Sequence, residues 1–196
     1  MRRDLLFASL LAGCAVLAGC KPRENGAGAA PPGKPVWHYT VETDAARNTA
    51  VFYAWLLSSN APVLKYPYRG AAPVRLLLSK HKGAAYRDST APVLVLANGR
   101  FHCVGGALAG SCRVTMTVDG GAPQTVNAFD AACPPNRCLM ISMPAETGRR
   151  PDGEPLIERL RTARTVVLDL PLEQHGDFSY RFDTAGLKWS RETDRQ

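Results

Sequence analysis

Cys112-Arg113-Val114-Thr115-Met116-Thr117-Val118-Asp119-Gly120-Gly121 is the stretch on which the fold turns. Val114, Met116 and Val118 alternate with Arg113, Thr115 and Thr117, which is the period-two pattern of a strand with one buried face. Asp119-Gly120-Gly121 then supplies residues that accept the positive φ of a tight hairpin turn. Working outward, the same period recurs. Trp37, Tyr39 and Val41 alternate with His38, Thr40 and Glu42, and Val74, Leu76 and Leu78 with Arg75 and Ser79. Phe178, Tyr180 and Phe182 alternate with Ser179 and Arg181, 51–57 is a near-continuous apolar run, and 93–97, 124–129, 139–143 and 165–170 continue the series of strands. Ala97-Asn98-Gly99-Arg100 is a second hairpin signal. One helix is expected, over 155–164, with Leu156, Ile157, Leu160 and Ala163 on one face and Glu158, Arg159, Arg161 and Thr162 on the other. Pro155 suits its first turn. The chain therefore reads as mainly β: an antiparallel β-sandwich or barrel-like domain, with one short amphipathic helix closing an end or a face.

The 196 residues are 45% hydrophobic and 21% charged, a composition that builds a core and argues against wholesale disorder. Net charge is +7, yet no Lys/Arg block exceeds Arg149-Arg150. Without a basic stripe interleaved with aromatics, nucleic acid is not an expected partner. The basic balance favours an acidic protein or an anionic surface instead.

Ahead of the β region, Met1-Arg2-Arg3-Asp4 leads into an apolar run that ends at Leu17-Ala18-Gly19-Cys20. This resembles a bacterial lipoprotein signal with its lipobox: an aliphatic residue, two small residues, and the cysteine that becomes the new amino terminus. The same tetrapeptide occurs at Leu11 to Cys14, but cleavage there leaves an apolar stub, whereas polar residues follow Cys20 at once. An uncleaved membrane anchor is the other reading; the apolar run is short of the roughly 20 residues a span needs. The resemblance implies acylation of Cys20, with a palmitate-type chain and a diacylglyceryl group, and hence stable anchoring to the bilayer. Lys21 rather than Asp after the cysteine implies the outer membrane, with the protein facing the periplasm. Residues 21–35 are Gly-, Ala- and Pro-rich and read as a flexible tether. At about 3.3 to 3.6 Å per residue it reaches up to roughly 50 Å. The expected organisation is a signal peptide over 1–19, a lipidated cysteine and tether over 20–35, a β-rich periplasmic domain over 36–190, and a polar tail over 191–196.

An oxidising compartment makes disulfides the expected state of Cys103, Cys112, Cys133 and Cys138. Four cysteines allow three pairings. A hairpin closed by 104–111 would set Cys103 across from Cys112, and the turn Pro134-Pro135-Asn136-Arg137 would sit between Cys133 and Cys138, so the two local pairs are preferred. A redox or metal site is the rival. The Cys133 to Cys138 spacing is not that of a dithiol redox motif, however, and the four histidines are scattered. No metal ligand set and no cofactor is expected. Catalytic residues are not nominated either. Ser111 lacks a nucleophile elbow and a base, the glycines at 105, 106 and 110 lack the Lys-Ser/Thr of a phosphate loop, and Asp152, Glu154 and Glu158 surround a helix start that favours acidic residues anyway.

The order of motifs from residue 36 onward resembles a group of poorly characterised, β-rich bacterial envelope proteins. The residues that carry the resemblance are Trp37 and Tyr39; Pro67, Tyr68 and Gly70; Gly99, Phe101 and Cys103; Cys112 and Val114 through Asp119 and Gly120; and Tyr180, Phe182, Gly186, Leu187 and Trp189. It covers nearly the whole domain, implies the β fold and a Cys103 to Cys112 bridge, and implies no activity. The function expected is that of a membrane-tethered periplasmic binding lipoprotein, such as an inhibitor or immunity protein against an envelope-targeting enzyme. An envelope hydrolase with a dispersed, loop-built site is the alternative. The turns at 67–70, 104–111 and 134–137 are the first places to look for a binding surface. Tyr68, Arg69 and Arg137 are its candidate residues, with Tyr66 beside them, because aromatic and guanidinium groups anchor interfaces. The plainer expectation is that Tyr66 and Tyr68 pack against the sheet.

Overall fold

A computed structural model describes residues 36–46, 48–82, 92–103, 111–131, 133, 136–143 and 153–189. Cys20, the signal and the tether lie outside the described residues, as do the loop 104–110, Pro134, Pro135 and the tail. The strands are β1 (His38–Asp44), β2 (Thr49–Leu57), β3 (Val63–Leu64), β4 (Gly70–Ala71), β5 (Val74–Lys82), β6 (Val93–Leu96), β7 (Ser111–Val118), β8 (Gln124–Asp130), β9 (Cys138–Ser142), β10 (Thr165–Leu172) and β11 (Gly176–Asp183). The helix α1 spans Glu154–Thr162, between β9 and β10.

Nine strands form one sheet in the order β1-β2-β5-β6-β9-β8-β7-β10-β11, with every neighbouring pair antiparallel. The alternation read from sequence sets the register, since a slip of one residue would turn each apolar set outward. Leu56 pairs with Leu76, Leu76 with Leu94, and Leu94 with Leu139, so one row of leucines crosses four strands. Tyr180 pairs with Leu168, and Leu168 with Met116. All these side chains are buried and belong to one hydrophobic cluster. A single sheet with one buried face, covered among the described residues by only nine helical ones, hides that face by curling on itself.

The seam of the curl is visible. Ser59 N donates to Arg181 O at 2.7 Å, Arg181 N to Asn60 Oδ1 at 2.7 Å, and Asn60 Nδ2 to Ser179 O at 2.9 Å. The segment that follows β2 thereby occupies the outer edge of β11. Nearby, Trp37 Nε1 donates to Thr184 O at 3.0 Å and Tyr180 OH to Ala72 O at 3.0 Å, both buried. The architecture is accordingly barrel-like. In α1, Leu156, Ile157 and Leu160 enter the same cluster while Arg159, Arg161 and Thr162 face solvent. Pro155 lies in its first turn, and Ala163 N closes its end on Arg159 O at 3.0 Å.

Two local expectations come out differently. The signal at Ala97 to Arg100 does not close a hairpin: β6 lies between β5 and β9, and the chain crosses to place Phe101 opposite Leu172. The turn residues are present, with Gly99 at φ +94, but tertiary partners choose the next strand. The alternation from Trp37 to Val41 does not give a half-buried strand either. Trp37 is buried just ahead of β1, whereas β1 is exposed on both faces from His38 to Thr43 because it lies beyond the core.

Candidate functional site

The sequence between β3 and β4 turns on itself. Tyr68 N and Arg69 N both donate to Lys65 O at 3.1 Å, the Tyr66–Pro67 peptide is cis, and Arg69 and Gly70 take positive φ values of 31 and 106. Leu64, paired with Gly70, is buried and roots the turn in the core. Three contacts from distant parts of the chain then hold it. Asn98 Nδ2 donates to Tyr68 O at 3.0 Å and to Arg69 O at 3.1 Å. Tyr68 OH donates to Glu173 Oε2 at 2.6 Å. Lys65 N donates to His175 Nε2 at 3.0 Å, so that nitrogen is the unprotonated acceptor; His175 Nδ1 therefore carries the proton and donates it to Glu173 O at 2.8 Å. With both ring nitrogens committed to backbone, His175 is a brace between the turn and the β10–β11 connection.

The turn at residues 97–99 that carries Asn98 is itself clamped. The Arg137 guanidinium donates through Nε and Nη2 to Leu96 O at 3.3 and 3.0 Å, and Nη2 also donates to Ala97 O. Leu96 N donates back to Arg137 O at 2.9 Å, and Phe101 N to Asn136 O at 2.7 Å. Arg137 is placed by the disulfide between Cys133 and Cys138, whose Cα atoms lie 6.0 Å apart. The other disulfide joins Cys103 to Cys112, with Cα atoms 5.0 Å apart, and ties the segment that follows Phe101 to β7.

Tyr68, Arg69 and Arg137 thus belong to one connected cap, with different tasks. Tyr68 is half-buried, packs on the core and spends its hydroxyl on Glu173. The bond to Glu173 is the main reason its phenol pKa is raised, with burial and the Glu173 charge adding and Arg100 opposing. Tyr68 stays a neutral donor. Arg137 spends its fork on backbone carbonyls, so it supports the cap from below. Only Arg69 of the three is exposed, alongside Lys65, Arg100 and Tyr66. Tyr66, 77% exposed, does not pack against the sheet, whereas Tyr68 does.

Sequence reasoning missed Asn98, Glu173 and His175 as parts of this site. Asn98 had a local signal as a turn residue, but its partners lie 29 and 30 positions away. Glu173 and His175 contact the cap across 105 and 110 positions, and no local pattern marks them. Among the described residues no group of three or more His, Cys, Asp or Glu is placed to hold a metal ion. What the cap offers chemically is an aromatic ring and three cations on a frame already fixed by hydrogen bonds. Comparison with protein-family models, curated proteins and solved structures returned no match for the chain.

Proposed function

We propose that this chain is a lipid-tethered periplasmic interaction protein of the bacterial envelope, anchored at the outer membrane through acylated Cys20, that uses the Tyr66–Arg69 cap to hold an acidic protein partner. An inhibitor or immunity protein against an envelope-targeting enzyme is the form of this function that fits best. The observation that carries the reading is Tyr66, 77% exposed beside exposed Lys65, Arg69 and Arg100, on a turn pinned by Asn98, Glu173 and His175. Tyrosine and arginine are residue types enriched at interface anchors, and a frame ordered in advance reduces the entropy lost on binding. Exposed cations of one sign steer an acidic partner and speed its encounter.

The test is capture of the full lipidated protein from its own envelope, followed by a salt wash and mass spectrometry. An acidic protein retained stoichiometrically is the expected result. Its loss from a Tyr66→Ala/Arg69→Ala variant would assign it to the cap, at about 2 kcal/mol or more for interface anchors of this type. Equal retention by that variant would refute the cap as the binding surface. Replacing Cys20 with Ser should release the protein from the membrane fraction; continued membrane association would refute the lipid anchor.

A further inference from the structure

We propose that β1 is a self-pairing edge, through which two copies of this chain join antiparallel about a two-fold axis at Val41. The two ends of the sheet are treated differently. Ser59 and Asn60 cover β11, whereas among the described residues β1 ends the sheet order, its contact with the 184–189 segment running through the Tyr39 side chain, whose hydroxyl accepts from Lys188 N at 2.8 Å. Its seven residues, His38-Tyr39-Thr40-Val41-Glu42-Thr43-Asp44, contain no proline and no lysine, two of the usual means by which an edge is blunted, and carry their charge in Glu42 and Asp44. Tyr39 is 45% exposed and Val41 55%. On their face of the hairpin, two shallow hollows of about 160 and 400 Å³ meet at Val41 and Phe52.

The occupant follows from register. A two-fold perpendicular to the sheet keeps each face on its own side, so a residue must sit at the axis, and only Thr40, Val41 and Glu42 leave most of the strand paired. Centring on Glu42 sets two carboxylates opposite each other, which is unfavourable. Centring on Thr40 leaves Thr43 and Asp44 unpaired within the strand. Centring on Val41 pairs all seven residues: His38 with Asp44 of the second copy, Tyr39 with Thr43, Thr40 with Glu42, and Val41 with itself. Imidazole faces carboxylate at both ends, and the apolar residue meets its equal in the middle. His38 is already held in place by stacking on Trp55, ring centres 4.0 Å apart. The strand is thus complementary in charge and size to its own reverse. This inference is independent of the cap.

The experiment is mild oxidation of the full chain carrying single cysteines at β1. Facing Cα atoms at the axis lie about 4.5 to 5.5 Å apart, within disulfide reach. Residues one step off the axis face their copies at about 8 Å, beyond it. Val41→Cys should give a covalent dimer at least about tenfold more abundant than Thr40→Cys or Glu42→Cys. The parent chain, run in parallel, sets the background from the cysteines already present. Cross-linking of Thr40→Cys or Glu42→Cys equal to that of Val41→Cys would overturn the register, and Val41→Cys no higher than background would overturn the pairing. Sedimentation adds a test without oxidation: Val41→Lys, which sets two ammonium groups at the axis, should lower the dimer fraction. An unchanged mass would also overturn the proposal.

Discussion

Gly99→Ala separates backbone conformation from steric crowding at the base of the cap. Gly99 has φ +94, and a Cβ built on it would lie 2.7 Å from Leu64 Cδ1, 3.5 Å from Leu96 Cδ2 and 3.9 Å from Tyr68 Cδ2. Leu64 is buried at 4% exposure and cannot swing into solvent. Gly70 is the natural reference, because its φ is +106 but its nearest atom, Asn98 Nδ2, lies at an ordinary 3.9 Å. Both alanines incur the left-handed backbone cost of about 1 to 2 kcal/mol. Only Gly99→Ala adds overpacking of about 1 to 3 kcal/mol, so it should destabilise the fold by roughly 2 to 5 kcal/mol in total. Leu64→Val removes the offending methyl. By itself it costs about 1 kcal/mol, but combined with Gly99→Ala it should recover about 1 kcal/mol or more relative to additivity. Urea unfolding of the four variants and the parent supplies the free energies. Equal destabilisation by Gly70→Ala and Gly99→Ala, or strict additivity with Leu64→Val, would falsify the crowding argument.

The other predictions concern closure, core and charge. Tyr180→Phe removes a buried donor and leaves Ala72 O without its 3.0 Å partner, so a loss of about 1 to 3 kcal/mol is expected in thermal unfolding; an unchanged Tm would argue against that bond. Asn60→Ala deletes two bonds across the exposed seam, at about 1 kcal/mol each. Hydrogen exchange at Arg181 N should accelerate with it, and unaltered protection would show that the seam is held elsewhere. Asp119 Oδ1 accepts from Thr165 N at 2.8 Å and Arg164 N at 2.9 Å. The Thr165 bond leads in holding its carboxyl below the usual range, with Arg164 helping and burial opposing. A depressed folded pKa stabilises above the unfolded value near 3.9 and fades as pH falls through the lower, folded one. The parent's advantage over Asp119→Asn should accordingly shrink as pH falls below about 4, and a difference in Tm that is constant down to pH 2 would contradict it.

The composition of the strands was legible in the sequence because side-chain alternation is a local property. The alternation of Val114, Met116 and Val118, and of Val74, Leu76 and Leu78, names the buried face directly, and the structure buries five of these six residues, leaving Val118 half-buried. The helix was legible for the same reason, through the spacing of Leu156, Ile157 and Leu160. The two cysteine pairs were local as well, nine and five residues apart.

Strand order was not legible, because hydrogen-bond donors and acceptors on a strand edge are the same in every sequence. Nothing in 97–100 says that the chain will cross to Leu172 instead of folding back, and nothing in 38–44 says that the core stops short of this strand. The cap shows the limit most clearly. Tyr68, Arg69 and Arg137 could be named as aromatic and cationic loop residues, since residue type is written in the sequence. Which of them is spent on the frame and which faces solvent depends on Asn98, Glu173 and His175, brought in from up to 110 positions away. Sequence by itself determined residue chemistry and the buried faces of the core strands, and it favoured the two local cysteine pairs. Only the tertiary structure decided which polar groups satisfy one another, because folding brings together distant groups whose chain separation carries no information about their contact.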